Sequence, residues 1–132
     1  MAVDKRPISL IKLRQVPRQF SWVDQRLVRE RYIDQLSHEA CALYLFLLTV
    51  ADAQGLSYYA ERTLSERLSM SLSQLRQARQ VLITNNLIAY QRPIYQVLAL
   101  EGQSPAPLTG AEPHDDTINI QAVFEQIWEV LS

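Results

Sequence analysis

From Glu61 to Leu100 the spacing of apolar positions changes period twice. In ERTLSERL (61–68), Leu64 and Leu68 stand four apart, which gives one buried stripe on a short helix. Ser69, Met70 and Ser71 interrupt the stripe, after which Leu72, Leu75, Ala78 and Leu82 recur every three or four residues and predict a second helix. Ser71 is suited to cap it, and Gln74 three residues later completes a capping-box pattern. Asn85 and Asn86 suit its end, because Asn tolerates left-handed backbone. LIAYQ (87–91) and IYQVLAL (94–100) are β-favouring runs split only by Arg92 and Pro93, so two strands with a two-residue tip are expected.

Upstream, Val23, Leu27, Val28, Tyr32, Ile33 and Leu36 recur at helical spacing over 22–36 and predict a short amphipathic helix. Ser37 reads as an N-cap with Glu39 in the favourable first turn, starting a helix that runs to about Asp52. Its interior, ACALYLFLLTV, is apolar nearly all round, which implies burial on more than one side. Ala53, Gln54 and Gly55 close it, and LSYY (56–59) is a short strand expected to pair with the later hairpin. Pro7 and Pro17 bracket ISLIKLRQV, a strand or an extended arm. EGQSPAPLTGAEPHDD (101–116) has the composition of a linker. Beyond it, Ile120, Val123, Phe124, Ile127, Trp128 and Leu131 form one face of a helix from about Thr117 to Leu131.

Helix, tight turn, helix and hairpin in that order is the pattern of a winged helix-turn-helix. The expected fold class is mainly α with a small β-wing and an additional C-terminal amphipathic helix. The chain then divides into a basic N-terminal arm (1–20), a winged helix-turn-helix domain (21–100), an acidic Pro-rich linker (101–116) and a C-terminal amphipathic helix (117–132). With 132 residues, 48% of them hydrophobic, one compact domain with tails is the expected organisation.

The formal net charge of -1 conceals segregation along the chain. Residues 1–36 carry eight Lys/Arg and four Asp/Glu, residues 37–100 five and four, and residues 101–132 none and six. A basic front and an acidic tail suit a protein that meets a polyanion with one face. Solvated chain ends would give the same count. Cys41 is the sole cysteine, which excludes an internal disulfide framework or a thiolate cluster and leaves a reducing, cytoplasmic setting as the expectation. The longest apolar run, Ala40 to Val50, falls well short of the ~20 residues that span a bilayer, and no membrane partner is expected. MAVDKRP builds no apolar core before Pro17 and Arg18, so no secretory signal is expected either.

In a helix-turn-helix the second helix enters the major groove. Here that recognition helix spans about 72–86, opening at Ser71, and its outer face offers Ser73, Gln74, Arg76, Gln77, Gln80 and Thr84, with Arg79 at its flank. Gln pairs bidentately with adenine and Arg with guanine, and the face itself carries no acid. An ordinary polar helix surface is the competing reading. Arg92 at the hairpin tip suits a minor groove or a phosphate, or is simply a turn charge. Lys5, Arg6, Lys12, Arg14 and Arg18 form an arm suited to backbone phosphates, or a solvated tail. Tyr58 and Tyr59 raise a phosphodiester nucleophile, but that chemistry needs a metal or an Arg/His cluster, and the chain has only His38 and His114, so packing is expected. Cys41 inside an apolar helix reads as a small hydrophobe. Gly55, Gly102 and Gly110 are isolated, so no phosphate-cradling loop exists, and no metal-ligand spacing is present. No enzymatic activity, cofactor or metal is expected.

The stretch from Leu36 to Leu98, with LSHEACALYLFLLTVADAQG followed by TLSERLSMSLSQLRQARQVLITNNLIAY, resembles the winged helix-turn-helix domains of plasmid and phage replication initiators and related DNA-binding regulators. Leu36, Ser37, Ala51, Asp52, Gly55, Thr63, Leu64, Leu87 and Ile88 stand where that pattern wants them. The resemblance implies double-stranded DNA as the partner and a role in transcription regulation, or as an accessory factor in DNA replication or transposition of a mobile element. It also implies a bacterial, nucleoid-associated location when DNA is bound. Larger initiators carry a second winged helix or a catalytic domain, so initiation by this chain alone is not implied. The alternative is a protein–protein adaptor whose C-terminal helix docks on a partner. A homodimer is a further expectation, with Val123, Phe124, Ile127, Trp128 and Leu131 as the partner or dimer face.

Overall fold

The computed structural model describes residues 3–100. The linker expected at 101–116 and the helix expected at 117–132, with Val123, Phe124, Ile127, Trp128 and Leu131, fall outside the described residues. Within them a helical body carries a small three-stranded antiparallel sheet, an arrangement compatible with a wing-like hairpin. The elements in chain order are α1 (Arg26–Arg29), α2 (His38–Val50), β1 (Leu56–Tyr58), α3 (Glu61–Leu68), α4 (Leu72–Thr84), β2 (Ile88–Gln91) and β3 (Ile94–Val97). Among the described residues no helix is long and apolar enough to cross a membrane.

The arm runs irregularly, with a turn at Ile11 and Lys12, is exposed from Val3 through Phe20, and forms no strand. The single amphipathic helix expected over 22–36 does not form. Asp24 accepts a hydrogen bond from the Arg26 amide at 2.9 Å and pairs with its guanidinium at 2.8 Å, which starts the one turn of α1. Arg31 then adopts φ 62°, a left-handed conformation that ends a right-handed helix, and a short 3-10 turn follows at Ile33–Gln35. Of the apolar positions, Leu27 is buried whereas Val23, Val28 and Ile33 are exposed. Without tertiary burial of its stripe, a segment this short has little to hold it helical.

Ser37 caps α2 by accepting from the Ala40 amide at 3.1 Å. The helix packs on α4, β3 and α3, burying Ala40, Leu43, Tyr44 and Leu47, while Leu45 and Thr49 stay exposed. Burial is therefore on more than one side but not all round. Asp52 organises the exit: its Oδ1 accepts from the amides of Gln54 and Leu56, both at 2.9 Å. Gly55 sits at φ 86°, and a Cβ there would stand 2.5 Å from the Val97 carbonyl oxygen. The Gly55 carbonyl accepts from the Val97 amide at 2.8 Å, so this turn must lie close against β3. Asp and Gly at this spacing thus have a physical reason.

The sheet order is β1–β3–β2, with Ser57 opposite Tyr95, and Tyr90 opposite Tyr95 on the other side. Arg92 and the cis-bonded Pro93 form the two-residue tip. Leu64 from α3, Leu75, Ala78 and Leu82 from α4, and Leu87, Ile88 and Tyr95 from the hairpin close on Leu43 and Leu47 as one core. Tyr59 packs edge-on to Phe46, with ring centroids 5.1 Å apart, whereas Tyr58 is exposed. Cys41 is half-buried, and burial pushes its thiol pKa up, against nucleophilic reactivity.

Candidate nucleic-acid interface

Helix α3 ends at Ser69, whose φ of 53° is left-handed. The turn is locked by the Met70 amide donating to the Ser65 carbonyl at 3.1 Å and by Ser65 Oγ donating to the Met70 carbonyl. Two residues later the capping box closes: the Gln74 amide donates to Ser71 Oγ at 3.0 Å and the Ser71 amide to Gln74 Oε1 at 2.9 Å. These bonds satisfy donors that a helix start otherwise leaves unmade, and they fix where α4 begins. They also occupy Ser71 Oγ and Gln74 Oε1, two of the groups expected to touch DNA. Asn85 and Asn86 end the helix, the latter at φ 59°.

With Leu75, Ala78 and Leu82 buried, α4 exposes Ser73, Gln74, Arg76, Gln77, Gln80 and Thr84. Gln80 Nε2 lies 3.4 Å from Thr84 Oγ1, a long contact along the exposed strip. The two arginines differ sharply. Arg79 is 14% exposed in its side chain; its Nη1 stands 2.9 Å from Glu61 Oε2 and donates to Tyr95 Oη at 3.1 Å, and its guanidinium lies 4.3 Å from the Tyr90 ring centroid. It joins α4 to α3 and to the hairpin and is not presented to a ligand. Arg76 is 57% exposed and forms a two-pronged pair with Glu61, Nε to Oε2 at 3.2 Å and Nη2 to Oε1 at 3.0 Å.

Glu61 opens α3, fifteen residues before Arg76, and no local sequence signal links the two. The periodicity of α4 alone, which gives an acid-free face, therefore does not reveal it. Hydrogen bonds from Arg76 and then Arg79 hold its carboxyl down at about 2, while its own bond keeps the Arg76 guanidinium even more firmly charged. For Arg79, burial works against the charge, but the bonds to Tyr95 and Glu61 outweigh it. A second acid approaches from the other side: a shallow groove of about 210 Å³ between α2 and α4 is lined by Ser37, Glu39, Gln74 and Gln77. The strip that remains outward and neutral is Ser73, Gln77, Gln80 and Thr84.

Arg92 is exposed at the hairpin tip, and Lys12, Arg14 and Arg18 are exposed in the arm. Among the described residues, no hydrogen bond or ion pair ties these four to α4; the arm is fastened to the body where Ser21 Oγ donates to the Thr49 carbonyl at 3.0 Å. Among the described residues, no three His, Cys, Asp or Glu side chains group closely enough to hold a metal ion. Comparison with known proteins finds no family model, no curated protein and no solved structure that matches this chain.

Proposed function

We propose that this protein is a winged helix-turn-helix that binds double-stranded DNA without enzymatic activity, with α4 in the major groove. Its role would be that of a transcriptional regulator, or of an accessory factor in replication or transposition of a mobile element. The observation that supports this most is the outward strip of α4. A helix fixed at its start by a capping box, and tied to the body by Arg79, offers Ser73, Gln77, Gln80 and Thr84 to solvent with Arg76 beside them. A helix about 10–12 Å across fits a major groove about 12 Å wide, and amide side chains match adenine edges. Arg92 at the hairpin tip and Lys12, Arg14 and Arg18 in the arm then serve backbone phosphates, which position without specifying.

Fluorescence anisotropy of a labelled duplex tests this with Gln77→Glu combined with Gln80→Glu. Both sites are exposed, so the fold is retained, and two carboxylates are turned toward the groove. At about 100 mM salt a loss of affinity of at least tenfold is expected, given how strongly phosphate contact depends on charge. Undiminished affinity would contradict the reading. A protein–protein adaptor is the second reading, favoured by the exposed side chains of Phe20, Trp22, Val23 and Val28, with Trp22 73% exposed. It predicts no duplex retention by the intact chain.

A further inference from the structure

Arg76 faces the proposed DNA but is already held by a carboxylate, and the geometry of the hold is unequal. Glu61 lies between two guanidiniums, 3.0 Å from Arg76 and 2.9 Å from Arg79. Arg79 has Tyr95 and Tyr90 as further partners and is largely buried, so it cannot leave without opening the body. Among the described residues Arg76 pairs with Glu61 alone, and it is mostly exposed, so its side chain can swing away while Glu61, 30% exposed, keeps Arg79 on one oxygen and takes water on the other. From this we infer that Glu61 is a positioning residue for the proposed DNA contact: it holds Arg76 in the free protein, so that a duplex gains this arginine only by displacing it from the carboxylate.

This rests on the DNA-binding reading of α4 and refines when that face can use its arginine. A two-pronged carboxylate pair is the geometry that a guanine edge, with O6 and N7 side by side, reproduces for an arginine. A backbone phosphate, with its two non-bridging oxygens, offers the same fork a second acceptor pair. Glu61 therefore lowers the affinity of any complex that uses Arg76, at a guanine or at a phosphate, by the cost of breaking the pair.

The test is a four-protein cycle of intact chains: wild type, Glu61→Gln, Arg76→Gln and the double variant. Each is titrated by anisotropy into a 20-base-pair duplex of mixed sequence over a range of salt. Glu61→Gln is expected to bind this duplex several-fold more tightly and to steepen the dependence of log affinity on log salt by about one. Arg76→Gln should weaken binding by no more than about threefold in the wild type and by tenfold or more in the Glu61→Gln background, because only there is Arg76 already released. Equal factors in both backgrounds would mean that the two side chains act as separate charges, and would overturn the inference. Glu61→Asp supplies a second measurement that is independent of net charge: one methylene shorter, it cannot reach both guanidiniums, so tighter binding is expected with no charge altered. Wild-type affinity in Glu61→Asp would likewise overturn the inference. Duplex binding by the wild type with no coupling removes the Glu61 role alone, whereas no duplex binding by the wild type removes the DNA-binding reading and this inference with it.

Discussion

Arg79→Ala separates an arginine that builds the fold from one proposed to meet DNA. The guanidinium stacks 4.3 Å from the Tyr90 ring centroid, a partly desolvated cation–π contact that contributes about 1 kcal/mol. It also donates to Tyr95 Oη at 3.1 Å, and Tyr95 is fully buried, so truncation leaves a phenol hydroxyl short of a partner at a cost of about 1 kcal/mol. Loss of the aliphatic stem of a side chain only 14% exposed adds roughly 0.5 kcal/mol. The expected destabilisation is therefore about 2–3 kcal/mol, read as a shift in the urea midpoint followed by far-UV circular dichroism. Arg76→Ala is the control: its exposed pair with Glu61 is worth at most about 1 kcal/mol. Arg79→Lys should fall between the two, because an ammonium keeps the charge but loses the fork that spans Tyr95 and Glu61. If Arg79→Ala cost no more than Arg76→Ala, the joining of α4 to the hairpin through Arg79 would be refuted.

Two further outcomes concern the body that supports α4. Gly55→Ala should cost about 2–4 kcal/mol, since it combines a left-handed φ of 86° with a Cβ placed 2.5 Å from the Val97 backbone oxygen; a loss below about 1 kcal/mol on thermal melting would show that the turn is free to shift. Glu61 should also give the fold an acid dependence, because its folded carboxyl sits at about 2, below its ordinary value of 4.5. Its contribution is fully present above about pH 4.5 and is lost as the pH falls through about 2. Solvent screening of so accessible a group limits it to roughly 1 kcal/mol. Urea midpoints of wild type and Glu61→Gln should converge across that window, and a constant difference between them from pH 5 to 2 would count against it.

Local signals carried most of the body. The bounds of α3 follow from a four-residue stripe, the start of α4 from Ser71 and Gln74, and the hairpin from β-favouring runs divided by Arg92 and Pro93. Each depends on neighbours within a few residues, which is the range over which caps and stripes act. The segment 22–36 shows where this ends. Its apolar spacing is helical, yet whether a stripe is buried is decided by the rest of the molecule, and Val23, Val28 and Ile33 find no cover. The candidate interface divides in the same way. Ser73, Gln77 and Gln80 could be placed outward from periodicity, whereas the engagement of Arg76 and Arg79 by Glu61 needs α3 packed beside α4, and a helix wheel drawn for α4 cannot contain it. A face that is acid-free on its own helix is thus not acid-free in the fold.

The most direct test of the proposed DNA-binding face is to map binding on the isotope-labelled intact chain. Amide chemical shifts are followed by NMR as a mixed-sequence duplex is added at low salt. Binding through α4 predicts that the largest changes fall on residues 71–84 and on the hairpin tip at 91–94, with the outer side of α2 around Leu45 unmoved. Changes centred on α2, or spectra that do not change at all, would contradict it.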